Sequence, residues 1–217
     1  MVSATLDNAV PLAADEDSSK RRQILDGARR CFLERGFDAT SMNDITSESR
    51  VSKGTLYVYF EDKEDLIGAL IDRERRQVLD FARERLDLGA SIEEALSNFG
   101  TTLATKLTSR DVVRAMRVVL GMAETRPGLA AKFFGGEPFS GVDVIQDYLD
   151  RKVAEGELAI PDTGLAGRQF IDLAMAGIFK RRLFGYMPEE ASAEEIARSV
   201  SSAVEMFLGY YRRPKAD

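Results

Sequence analysis

Between residues 40 and 63 the chain gathers Thr40, Ser41, Lys53, Thr55, Tyr57, Tyr59 and Lys63, a set of hydroxyl and ammonium groups. Donors of this kind suit phosphate oxygens and base edges rather than covalent chemistry. Gly54 lies among them, where a missing side chain lets backbone approach a bulky ligand closely. Catalytic equipment of the usual kinds is scarce. The 217 residues contain no histidine and one cysteine, Cys31. Histidine-based triads, imidazole bases, most transition-metal sites, an intrachain disulfide and zinc sites built on several thiolates are thereby excluded. The chain has no G-x-S-x-G, no phosphate-binding G-x-x-x-x-G-K-[ST] and no S-x-x-K pair. The paired acids Glu155 and Glu157 read as a solvated helix end. The expectation is a protein without catalysis, metal or cofactor.

The elements that must position these donors are helical. Proline is absent between Pro11 and Pro127, and the later prolines fall in turn-like contexts such as "TRPG" and "AIPDTG". Residues 20–35 place Ile24, Ala28, Cys31 and Phe32 on one helical face, and Gly36 stops that helix. In "TSMND", Ser41 and Asp44 form a capping box for a second, short helix with Ile45 inward. Arg50-Val51 makes the turn, Ser52 caps a third helix over Lys53–Phe60, and Asp62 caps a long fourth one. Further helices are expected near 91–108, 110–124, 140–155, 164–184 and 192–212, with a short piece around 128–134. The expected fold class is all-α. Residues 1–17 read as a disordered, mobile tail, 18–66 as a small DNA-binding domain and 67–217 as a larger helical domain.

Two short helices joined by a tight turn and packed on an amphipathic helix outline a helix-turn-helix, whose second helix enters the major groove. Thr40 and Ser41 sit at a helix start, where free N–H groups and small hydroxyls suit phosphate. Leu56 and Phe60 point inward, Tyr57 outward, and Tyr59 stands between the core and the ligand side. Lys63 adds a charged phosphate contact.

The stretch "TSMNDITSESRVSKGTLYVYFEDKEDLI" (40–67) resembles the DNA-binding region of the tetracycline-repressor (TetR) family of bacterial regulators. The resemblance covers residues 20 to about 70 and rests on "S-K-G-T-L-Y-x-Y-F" followed by "x-x-K-E-x-L". It implies phosphate contacts from Thr40, Ser41 and Lys63 and a base or backbone contact from Asn43. Lys53, Gly54 and Thr55 would enter the groove, with Tyr57 and Tyr59 gripping backbone or base edges. Thr46 and Ser49 stand where the family favours alanine, Arg50 where it favours a turn glycine, and Val58 where it favours polar or aromatic residues.

The resemblance also implies a homodimer built by the last two long helices. Its candidate face is Phe170, Leu173, Ala174, Gly177, Ile196, Val200, Val204 and Phe207. Phe99, Leu103, Met116, Val119, Met122, Phe133, Phe134, Tyr148 and Phe170 are candidates to line an apolar ligand pocket, although core packing accounts for any one of them. A small effector, mainly hydrophobic or aromatic, is expected, and the implied action is a ligand-released repressor on a near-palindromic operator. An architectural or protein-interaction module without a ligand is the alternative reading.

Charge narrows how DNA would be held. The net charge of −6 gives no global sign of a nucleic-acid binder, and residues 18–66 carry nine basic against nine acidic side chains. Binding must then rest on a few phosphate contacts per subunit and on dimerisation. No segment reads as a membrane span or export signal, so the expected location is the cytoplasm.

Overall fold

The computed structural model describes residues 11–86, 91–128 and 141–213. Among these the elements are helices: α1 (Pro11–Arg35), α2 (Met42–Ser49), α3 (Lys53–Tyr59), α4 (Lys63–Arg85), α5 (Ile92–Leu107), α6 (Arg110–Met122), α7 (Gly141–Ala154), α8 (Thr163–Ala174), α9 (Phe179–Leu183) and α10 (Ala193–Tyr211). The all-α expectation holds. The described residues divide into two compact units, which meet between Ile71 and Asp72.

In the first unit α1 begins at Pro11, and residues 11–17, expected in the mobile tail, are helical. Proline suits a first helical position because its φ is already helical and its missing N–H would be unpaired there anyway. Ile24, Leu25, Ala28, Cys31 and Phe32 of α1 are buried with Ile45 of α2, Leu56 and Phe60 of the third-helix segment, and Leu66, Ile67, Leu70 and Ile71 of α4. Helices α1 and α2 touch closely at Gly27, where a Cβ would stand 2.7 Å from Ser49 Cβ and 2.8 Å from Ser49 N. The amide of Gln23 donates to Ser49 O at 2.6 Å and closes the end of α2. Burial pushes the Cys31 thiol above its ordinary value, with Glu48 adding to the shift.

The second unit packs α5, α7, α8 and α10 around a line of rings. Phe170 lies 6.3 Å from Phe99 and 5.3 Å from Phe207, which in turn lies 4.9 Å from Tyr211. Glycine brings α7 and α8 together, since a Cβ on Gly167 would meet Ile145 Cγ2 at 2.9 Å. The segment after α7 is fastened to the end of α10 by Ala159 N donating to Tyr211 O and Arg213 N to Glu157 O. Lys152 anchors the same segment by donating to Glu155 and Glu157, which together raise its pKa.

The expected helix 164–184 is two helices. Gly177 has φ 74°, and the turn before α9 uses short bonds from Ala176 N to Leu173 O and from Ile178 N to Met175 O. Its apolar pattern runs on through the break, so periodicity alone did not reveal it. The expected piece at 128–134 lies, after residue 128, outside the described residues. Among the described residues no helix is long and apolar enough to cross a membrane.

Candidate nucleic-acid interface

Local capping chemistry sets the start of each short helix. Ser41 Oγ accepts from Asp44 N at 3.2 Å, and Ser41 N donates back to Asp44 Oδ2 at 2.9 Å. These bonds, with help from Arg35 at 2.8 Å, hold the Asp44 carboxyl below its ordinary pKa. Ser52 Oγ accepts from Thr55 N at 3.0 Å and shares a hydrogen bond with Thr55 Oγ1 at 2.7 Å. Both caps are those expected from the sequence.

Between them the chain turns at Arg50, the non-glycine residue with positive φ among those described (φ 53°, ψ 42°). Arg50 N donates to Ser47 O and Val51 N to Thr46 O, the paired bonds of a Schellman closure. Ser49, expected as a packing substitution, is buried and returns its hydroxyl to Ile45 O at 2.5 Å. Thr46 does likewise toward Asn43 O at 2.7 Å.

Helix α3 then divides cleanly. Leu56 and the capping Phe60 are buried, while Lys53, Gly54, Tyr57 and Val58 are exposed and Thr55 and Tyr59 half-buried. Tyr57 shows 46% of its surface and Val58 79%. Lys53 Nζ stands 5.9 Å from the Tyr57 ring. Among the described residues Arg50 and Lys53 have no ion pair, whereas Arg30 and Arg35 are spent on Glu48 and Asp44. Positive charge without an ion pair among the described residues is therefore present at the turn and at the start of α3, as it is at Lys20 and Arg21 of α1. A Cβ on Gly54 would meet only Ser52 Oγ, at 3.8 Å, so the protein's own packing does not demand glycine there.

Two expected phosphate contacts are otherwise engaged. Thr40 is 1% exposed, and its hydroxyl donates to Gly36 O at 2.7 Å and Cys31 O at 3.3 Å. Lys63 Nζ donates to Phe37 O at 2.7 Å, Thr40 O at 2.8 Å and Asp38 O at 3.4 Å. Ser41 and Asn43 are exposed at the start of α2. Val58 was not among the expected contacts; lying off the Leu56–Phe60 face, it could have been read as outward from helical spacing alone.

In the second unit the expected dimer face is largely interior. Phe170, Ala174, Ile196, Val200, Val204 and Phe207 are buried in the unit's own core, Leu173 is half-buried and packed against it, and only Gly177 is exposed. These apolar stripes meet each other rather than open surface. The exposed apolar residues of the same helices are Leu165 on α8 and Met206 and Tyr210 on α10, with Phe184 and Tyr186 following α9. Of the pocket candidates, Phe99, Leu103, Tyr148 and Phe170 share the core, and Met116, Val119 and Met122 are buried along α6. Phe133 and Phe134 lie outside the described residues. Tyr148 is fully buried with its hydroxyl lacking a hydrogen-bond partner among the described residues, and burial raises its pKa. Arg117 donates to Leu183 O and Arg182 O. Among the described residues no cluster could hold a metal ion.

Comparison with known proteins gives this arrangement its relatives. Residues 24–70 match the family model "Bacterial regulatory proteins, tetR family", and residues 94–213 match "AefR-like transcriptional repressor, C-terminal domain". The HTH-type transcriptional repressor Rv1474c of Mycobacterium tuberculosis is 28% identical over 190 residues, covering 84% of this chain and 92% of that protein. The flavonoid-responsive regulator FrrA has a solved structure 28% identical, with a TM-score of 0.76 over 92% of this chain and 100% of its own. A Mesorhizobium loti protein described as a TetR-family transcriptional regulator superposes with a TM-score of 0.82 at 24% identity, covering 91% and 98%. That last likeness speaks to fold alone.

Proposed function

This chain belongs to the tetR family of bacterial transcriptional regulators, and on that footing we propose that it is a repressor holding a near-palindromic operator as a homodimer until a small effector binds. The observation that carries this reading is the exposed side of α3. Lys53, Gly54, Tyr57 and Val58 are presented to solvent beside Arg50, which has no ion pair among the described residues, while Leu56 and Phe60 fix the helix from behind. A groove-reading helix needs that division.

The proposed contact set is Ser41, Asn43, Arg50, Lys53, Gly54, Thr55, Tyr57, Tyr59 and Lys63, with Thr40 removed because it is buried and its hydroxyl is committed internally. Cations at Arg50 and Lys53 address phosphate, and the Tyr57 hydroxyl addresses backbone or a base edge. Few charges imply a modest salt dependence per subunit. The second copy docks on the outer side of α8 and α10, where Leu165, Met206 and Tyr210 are exposed.

The effector is small and mainly hydrophobic, taken up in the apolar interior of the second unit near Phe99, Leu103, Tyr148 and Phe170. A buried hydroxyl without a partner is costly, by about 1–3 kcal/mol, and Tyr148 would regain a bond from an effector oxygen. The name of FrrA, a flavonoid-responsive regulator, is in line with an aromatic effector. Operator and effector must weaken each other's binding by the same factor.

Selection of bound fragments from genomic DNA by the purified protein tests the reading. Enrichment of a near-palindromic site is expected. Recovery of fragments without a shared site would favour an architectural module, and no recovery would reject DNA binding.

A further inference from the structure

We infer that Val58 selects thymine, packing its side chain on the C5-methyl group of one thymine in each half of the operator. The inference rests on the reading of α3 as the helix that faces the groove. Successive helical residues are set about 100° apart round the axis, so the buried Leu56, two places before Val58, points about 160° away from it. Phe60, two places after, caps the helix on the same buried side. Val58 therefore stands on the outermost line of α3. With 79% of its surface open it is the most exposed large apolar residue of the first unit among those described.

Its neighbours leave that line open. Gly54, one turn earlier and about 40° round, has no side chain, and a Cβ there would meet only Ser52 Oγ, at 3.8 Å. Thr55, about 60° to the other side, is half-buried and shares its hydroxyl with Ser52 Oγ at 2.7 Å. Tyr57 and Tyr59 flank Val58, each about 100° away, and Lys53 Nζ stands 5.9 Å from the Tyr57 ring on one of those flanks. The ammonium and phenol groups of α3 are therefore at the sides, and its middle is apolar. Folding gives no reason for a valine here. It is no part of the buried core, and a β-branched residue is a weaker helix former than alanine or leucine.

In the major groove every base edge offers hydrogen-bond donors or acceptors, and thymine adds an apolar group, its C5-methyl. An isopropyl group can neither donate nor accept. Set against guanine N7 and O6, or against the amino group of cytosine or adenine, it would strip water from polar atoms and return no bond. Set against the thymine methyl, it takes two apolar surfaces out of water together. One buried methyl corresponds to about fourfold in affinity, and one in each half-site to about fifteenfold. Val58 is a specificity-determining residue: it reads a thymine by shape where the flanking residues read by hydrogen bonds.

The test replaces thymines of the duplex recovered from genomic selection by deoxyuridine, one symmetric pair at a time, which removes the methyl and keeps the hydrogen-bonding edge. Binding is measured against salt for the unsubstituted protein and for Val58→Ser, a change at an exposed position that leaves the core untouched. The unsubstituted protein is expected to lose about fifteenfold in affinity at one symmetric pair. Val58→Ser should bind the thymine and uracil duplexes equally there. The salt slope should hold throughout, because neither the valine nor the methyl carries charge. The two changes close a double-mutant cycle, so any effect of uracil on the duplex itself cancels. Uracil tolerated at every pair, half-sites without thymine, or a uracil penalty that persists in Val58→Ser would overturn the inference. Recovery of no duplex that the unsubstituted protein binds would instead reject the DNA-facing reading, and is told apart because it precedes any change of base or residue.

Discussion

Arg50 holds a left-handed conformation that glycine would adopt more cheaply, by roughly 1 kcal/mol. Its guanidinium has no ion pair among the described residues to offset that cost. A phosphate contact would. Arg50→Gly is expected to leave the protein folded and slightly stabilised in urea titrations, while the salt slope of operator binding falls by about one per subunit. Two glycines make a sharper contrast. Gly54 has room for a Cβ, so Gly54→Ala should gain about 0.5–1 kcal/mol of helix stability yet weaken operator binding, because the added methyl meets DNA. Gly27 has none, with Ser49 Cβ 2.7 Å from the added atom, and Gly27→Ala should cost about 1–3 kcal/mol in thermal unfolding. If Gly54→Ala bound operator normally, the glycine would have no part in reading DNA.

At the scale of elements, the short helices depend on their caps, and that dependence has a pH signature. The Asp44 carboxyl is held below its ordinary value of 3.8, first by the Ser41 hydroxyl and amide and then by Arg35. A depressed acid contributes stability that is fully present above 3.8 and is lost as pH falls through the lower folded value. Amide exchange in α2 should therefore accelerate on the acid side of 3.8, and Asp44→Asn should remove that step. Loss of the cap by Ser41→Ala should cost about 0.5–2 kcal/mol. The caps at Ser41, Ser52 and Asp62 were legible in the sequence because a capping bond spans three residues. The hydrogen bonds of Lys63 were not, since its carbonyl partners lie 23 to 26 residues away. Gly177 escaped for another reason: the apolar stripe of α8 continues past it, although the helix ends at Ala174 and Gly177 turns left-handed.

At the scale of the molecule, apolar spacing identified α8 and α10 as a pair that buries a large surface, but it could not say against what. Phe170, Val200 and Phe207 meet in the same unit's core, and the proposed contact with a second copy passes to residues one step around the helices. This gives a paired expectation. Phe207→Ala should cost about 3–5 kcal/mol of stability at every protein concentration. Met206→Glu with Tyr210→Glu should leave each chain folded and turn a dimer into monomers in sedimentation analysis. A double variant that stays dimeric would place the interface elsewhere. The helix-turn-helix was far more legible than this second unit, because groove reading fixes residue types at fixed spacing, whereas an apolar core accepts many sequences of the same pattern.

The account stands most directly on which surface DNA covers. Hydrogen exchange of the full chain with and without the duplex recovered from genomic selection reads that surface residue by residue. Slowed exchange is expected from the start of α2 through α3, residues 41–59, without comparable slowing on α5 or α7. Protection absent from α3 and concentrated in the second unit would contradict the account.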